Sequence, residues 1–457
     1  MISQVSGFPK CSSTCPRVTE LEKENEELKE KLAARDEKIK RLQGKLRKHE
    51  NPHTPPSKKL GSSKSKSSKS KSQRNKLGER DSGRREDHEG VTRSQAEPDR
   101  TIVVEEENCS HCGAKLGESE RTETRVIEDI ADPQPVEVTE YEIDHYECGS
   151  CGEEVVAGHE DLPPEGRLGY NAVVQTTLYK YRGRSVHRRT RDLLEWQHGL
   201  ELSSATVFDL TRRASDWLRP QYEKVVKRIR KASILYVDET GMRVDGEKGW
   251  IWTFVADDAV LFAMRMSRGK KVLKEVLGDD FKGKIVSDGW RSYPAFTSNL
   301  QRCWAHLLRE ADELKDKNEN GKQISDELHR LYDELTDFVE GDPPPDERKK
   351  KKDEAEEALK ELINADYKDE DVIDFAAKVE NGIDHWLTFL TNPELEPTNN
   401  RAERALREHV VQRKIIGTLR NEKGMRIHET IMTMLATWEQ NNLDPCEEML
   451  KDFRNHS

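Results

Sequence analysis

Ile234-Leu-Tyr-Val-Asp-Glu-Thr240 and Lys284-Ile-Val-Ser-Asp-Gly-Trp290 each carry a short apolar run into an aspartate, and the segment they bracket decides the fold. Each run, Ile234 to Val237 and Ile285 to Val286, reads as a buried strand bringing a carboxylate out at its C-terminal edge. Between them lie two more strand signals, Trp250 to Val255 and Val260 to Met264, joined by Ala256-Asp-Asp-Ala259 as a hairpin, then a helix from Lys270 to Leu277. A three-stranded antiparallel meander, a crossover helix and a further parallel strand make an α/β core of the ribonuclease-H-like kind. The first and fourth strands are neighbours in such a core, so Asp238 and Asp288 are expected to meet across the sheet. Leu300 to Arg309 reads as a fifth strand running into a helix, with Cys303 a core thiol and His306 an imidazole lining the site. Glu239 is on a strand next to Asp238 and is expected to face the other way.

A third acid completes the pattern. After Pro393 and Pro397 a helix begins near Thr398, and a 100° step per residue puts Asn399, Glu403, Arg407 and Lys414 on or near one face. The bland reading of that face is an exposed helix with Glu403 and Arg407 paired four apart. The chemical reading is a carboxylate cage: Asp238, Asp288 and Glu403 around two Mg²⁺ or Mn²⁺ ions, with Arg407 and Lys414 beside them for phosphate. In-line attack on a phosphodiester needs an activated oxygen nucleophile and a stabilised leaving oxygen, and hard cations held by carboxylates supply both. Residues 311–391 are helical and highly charged, an insertion between core elements.

Composition leaves room for this core and for much else. Of 457 residues only 33% are hydrophobic and 36% are charged, so a large share is solvated helix or linker. The net charge of −11 hides segregation along the chain. Val18, Leu21, Asn25, Leu28, Leu32, Arg35, Ile39, Leu42 and Leu46 form a heptad seam, a coiled coil over 17–50 that would make a homodimer or a higher oligomer. Residues 51–100 follow as a disordered linker, with eleven Lys or Arg against two acids between Ser57 and Arg85. Cys109-Ser-His-Cys112 and Cys148-Gly-Ser-Cys151, each followed by glycine, have the paired spacing of one structural Zn²⁺ site in a ribbon over 101–166, with Val136 to Ile143 strand-like between them. The next segment, 167–231, is helical; its Asp192–Gly199 and Leu202–Arg213 stretches suit either a helix-turn-helix that exposes Arg212 and Arg213 to DNA or plain helical packing. No apolar run is long enough for a bilayer, which implies a cytoplasmic protein without a membrane partner.

Four motifs in combination resemble the insertion sequence 66 family of transposases: Val237-Asp-Glu-Thr240, Ser287-Asp-Gly-Trp-Arg-Ser-Tyr293, Cys303-Trp-Ala-His-Leu-Leu-Arg309 and Asn399-Asn-Arg-Ala-Glu-Arg-Ala-Leu-Arg407 with Arg413-Lys414. The coiled coil, the ribbon and a helical tail with Leu443-Asp-Pro445 are similar to the same family, although the linker is richer in Ser and Lys than is usual there. The resemblance implies that Asp238, Asp288 and Glu403 are a DDE triad, and that double-stranded DNA, both transposon ends and target, is cut and joined at terminal inverted repeats. It also implies small accessory transposition proteins. The catalytic core then comprises 232–310 and 392–423, followed by a tail at 424–457. A non-catalytic zinc-ribbon DNA-binding protein derived from a transposase is the alternative.

Overall fold

A computed structural model describes residue 29 and residues 97–118, 121–127 and 135–455 except 316 and 318. The heptad seam and the basic linker up to 96 lie outside the described residues. The chain divides into two units, Met1–Ile130 and Ala131–Ser457. In the first, Cys109 and Cys112 sit on a tight turn closed by Cys109 N–H to Ala114 O and Gly113 N–H to Cys109 O, both 2.8 Å.

The second unit begins with a small hairpin of β1 (His145–Glu147) and β2 (Glu154–Val156). Residues 136–143, expected to be strand-like, form no strand, and Val138 is 89% exposed. Three helices follow: α1 (Tyr170–Tyr181), α2 (His187–His198) and α3 (Ser204–Lys231). Gly199 ends α2 in the left-handed region at φ 66°, and the Ser203 side chain accepts from Thr206 N–H to open α3.

The sheet that carries the site has the order β5-β4-β3-β6-β7, built from β3 (Ile234–Val244), β4 (Glu247–Val255), β5 (Val260–Arg265), β6 (Lys284–Ser287) and β7 (Leu300–Arg302). Strands β3, β4 and β5 form an antiparallel meander; α4 (Lys270–Leu277) crosses to β6, which pairs in parallel with β3, and β7 is parallel to β6. Strand β3 runs seven residues beyond Val237, where the apolar run stops. Asp245 and Gly246, both at positive φ, turn it directly into β4, a two-residue Asp-Gly hairpin that apolar patterning overlooks.

Helices α5 (Trp304–Lys315), α6 (Glu319–Glu340), α7 (Pro345–Ile363), α8 (Glu370–Glu380) and α9 (Ile383–Trp386) lead to α10 (Asn400–Ile416), α11 (Glu422–Gln440) and α12 (Pro445–Arg454). The expected tail is in fact part of the core. Strand β5 is the sheet edge, and its outward N–H groups at Val260, Phe262 and Met264 donate to Thr437, Thr433 and Glu429 of α11. Four residues of helix rise about 6 Å and two residues of strand about 6.7 Å, so side chains four apart keep step with amides two apart. The helix thereby covers an edge that would otherwise be open to another chain. Phe262, Met434 and Leu435 are buried in the same core. No helix among the described residues is long and apolar enough to cross a membrane.

Candidate active site

Pairing between β3 and β6 ends at Tyr236 opposite Val286. Asp238 and Asp288 each stand two residues further on, so the register brings them to the same level where β6 stops. Asp238 is therefore in mid-strand, past the last residue paired with β6 but still paired with Thr253 of β4, rather than at the end of its strand. Glu403 arrives from α10. The Asn399 side chain, one turn before it, donates to Val237 O at 2.8 Å, and Asn399 N–H points at Cys303 Sγ at 3.1 Å. Cys303 N–H in turn donates to Ser287 O at 2.8 Å. The residues just before both aspartates thus hold the segments that bring in Glu403 and His306. Farther along α10, Arg413 donates to Thr240 Oγ1 at 3.1 Å and to Gly241 O, which ties the helix along β3.

Asp238, Glu239, Thr240, His306, Glu403 and Arg407 help line a cavity of about 470 Å³. Asp288 is not in that lining, but it shares the electrostatic field: burial first, then Glu239, Asp288 and Glu403, raise the Asp238 carboxyl to about 7 against the pull of the Glu239 N–H. A carboxyl held this close to neutrality by burial and by other carboxylates is one that a cation would restore to its charged form. Glu403 Oε1 is buried without a hydrogen-bond partner among the described residues. Oxygen donors with unused lone pairs and an excess of negative charge fit a hard divalent ion.

Glu239 differs from its neighbour. Its side chain is fully enclosed, one oxygen accepts from Arg268 Nε at 2.6 Å and the other from the Tyr293 hydroxyl. Arg268 lies between the Trp250 and Trp290 rings and 3.8 Å from Asp288, while its carbonyl accepts from Trp290 Nε1 and Ser292 Oγ. Glu239 and Arg268 together therefore steady the loop that follows Asp288. Sequence reading missed Arg268, since its partners lie 18 to 29 residues away.

The cations expected to face DNA divide into two groups. Arg407 is exposed at the cavity and Lys414 is exposed farther along α10. Asn399, expected on that face, is fully buried and used as a tie. Arg212 and Arg213 are not exposed as expected. Arg213 is 3% exposed, donates to Glu165 O at 2.6 Å and to Leu168 O at 3.3 Å, and stacks on Trp217. Arg212 pairs with Asp209, Asp216 and Glu165. Both guanidinium groups brace α3 against the segment before α1.

The two cysteine turns share one local geometry. Gly113 and Gly152 sit at φ 74° and 72°, a region open to glycine, and each donates its N–H to the first cysteine's carbonyl at 2.8 Å. Backbone amides aimed at sulfur, from His111 first at Cys109 and from Ser150 first at Cys148, lower both thiols below their ordinary value. Cys112 and Cys151 complete the two turns as exposed thiols. Lowered thiols suit thiolate ligation of zinc.

Residues 166–427, more than half of the chain, match the family profile described as "Transposase IS66 family". Two curated relatives come from Sinorhizobium fredii. The uncharacterized protein y4hP is 24% identical over 398 residues, covering 76% of this chain and 70% of its own length. The uncharacterized protein y4qI is 24% identical over 326 residues, covering 63% of this chain and 58% of its own. The match spans α1, α2, α3, the whole five-stranded sheet and all of α10, including Asp238, Asp288 and Glu403, and the chain belongs to the IS66 family of transposases.

Proposed function

We propose that this chain is a DNA transposase whose ribonuclease-H-like core cuts and joins strands at the terminal inverted repeats of its own element, with Asp238, Asp288 and Glu403 as a DDE triad. The observation that carries the reading is the convergence of Asp238 in mid-β3, Asp288 just past β6 and Glu403 on α10: Asp288 and Glu403 both act on the Asp238 carboxyl, which burial first, and then Glu239, Asp288 and Glu403, raise to about 7. The strand order β5-β4-β3-β6-β7 supports the core assignment.

Two Mg²⁺ or Mn²⁺ ions, when bound, supply an activated water or 3′-hydroxyl and neutralise charge on the leaving oxygen. Asp238, Asp288 and Glu403 would hold them. Asn399 fixes α10, and through it Glu403, against β3; the Glu239–Arg268 pair orients the Asp288 loop. Arg407, at the cavity, and Lys414 are assigned to phosphate contacts along the DNA.

Cys109, Cys112, Cys148 and Cys151 are assigned to one structural Zn²⁺, supported by the matching glycine-closed turns. Serine at any of the four should lower the zinc content of the purified protein. The heptads over 17–50 are assigned to self-association, and accessory transposition proteins remain part of the proposal.

The test is divalent-metal-dependent cleavage and joining of labelled DNA taken from the gene's own flanks, with wild-type protein beside Asp238→Asn. Activity that disappears in the variant supports the triad. Specific binding by the wild type without cleavage, in Mg²⁺ or Mn²⁺, would replace this reading with the binding-only alternative.

A further inference from the structure

His306 lies in the first turn of α5, the helix that follows β7, and it meets Glu403 from 97 residues away. Its Nδ1 lies 3.6 Å from Glu403 Oε1. Both atoms are buried, and neither has a hydrogen-bond partner among the described residues. Two buried polar atoms without partners, facing one another across a cavity that both residues line, need an explanation.

A direct bond is a poor one, because good N–H···O bonds have heavy-atom distances of about 2.7–3.2 Å. The spacing is instead that of two ligands on one ion. With metal–ligand bonds of roughly 2.0–2.2 Å, a tetrahedral angle separates the donor atoms by roughly 3.3–3.6 Å. A small relaxation would bring the pair to the shorter edge of an octahedron. Cys303 Sγ is within 4.8 Å of both. That sulfur already faces Asn399 N–H and helps to anchor the start of α10.

We propose that His306 is a metal ligand beside Glu403, giving one of the ion positions a nitrogen donor and, with it, a preference for Mn²⁺ over Mg²⁺. Imidazole is a good ligand for borderline transition ions, whereas Mg²⁺ favours oxygen. The proposal rests on the reading of Glu403 as a ligand.

The experiment is pulsed electron paramagnetic resonance of Mn²⁺ added to the full-length, zinc-loaded protein without DNA. Bound Mn²⁺ in the wild type should show a ¹⁴N coupling, and His306→Gln should remove it. Mn²⁺ affinity should fall by at least about tenfold in that variant, with a smaller change for Mg²⁺. Cys303→Ser should keep the coupling. Mn²⁺ that binds and is lost in Asp238→Asn, yet shows no ¹⁴N coupling in the wild type, overturns the role of His306 and leaves the acidic triad standing. Mn²⁺ binding that is indifferent to Asp238→Asn and Glu403→Gln overturns both. The wild-type spectrum decides the matter even if the His306 variant does not fold.

Discussion

The cavity between β3 and α10 and the helical region of α2 and α3 both presented charged residues in suggestive places, but the fold treats them in opposite ways. At the cavity, Asp238 is raised to about 7 by burial and by its acidic neighbours, and Glu403 Oε1 and His306 Nδ1 have no hydrogen-bond partner among the described residues. In the helical region Arg212 has three acids around it, and Arg213 spends its donors on two backbone carbonyls and its face on Trp217. A satisfied charge holds structure, whereas a charge left unsatisfied in a half-buried place is available to a ligand. The same contrast separates Glu239 from Asp238 next to it in the chain.

The largest effect should come from the cavity. Replacing Asp288 with Ala should lower metal-dependent cleavage by roughly a thousandfold or more, since an ion's share of transition-state stabilisation is several kcal/mol and each 1.36 kcal/mol is tenfold. Cleavage by a well-folded Asp288→Ala protein at near wild-type rate would remove the cavity's side of the contrast.

Arg213→Ala should act on stability. It deletes charged hydrogen bonds and leaves buried carbonyls without donors, a loss of about 2–4 kcal/mol read from the denaturant midpoint. DNA affinity should stay near wild type under conditions where the variant is folded. A large drop in affinity at unchanged stability would return Arg213 to a DNA-facing role.

Stability against pH sharpens the comparison from the other direction. Asp238 has a folded value of about 7 against an ordinary 3.8, so the folded chain binds the proton more tightly than the unfolded one. The metal-free protein should therefore lose stability as pH rises from about 4 through 7. Asp238→Asn should lift metal-free stability at pH 8 by roughly 1–3 kcal/mol, and added Mg²⁺ should stabilise the wild type more than the variant. A flat difference between the two proteins across that range would mean that neither burial nor the neighbouring acids raise the Asp238 carboxyl.

The smallest effect belongs to Arg212→Ala, whose pairs are partly exposed. Thermal or chemical unfolding should register less than about 1 kcal/mol. A larger loss would show that Arg212 shares the buried role of Arg213.

The sequence by itself determined the order of strands, the strands that bring in Asp238 and Asp288, the helix that carries Glu403, and the glycine-closed cysteine turns. Each depends on residues a few positions apart: an alternating or apolar run, a helical repeat, a glycine that tolerates positive φ. Only the tertiary structure decided that Thr433, Thr437 and Glu429 close the edge of β5, that Arg213 is buried, that Asn399 pins α10 to Val237, and that His306 faces Glu403. Those outcomes hang on which groups from distant parts of the chain arrive to satisfy a charge or a lone pair. Local pattern carries the periodicity that makes an element, but a polar atom's partner is supplied by packing, and packing alone leaves some of them without one.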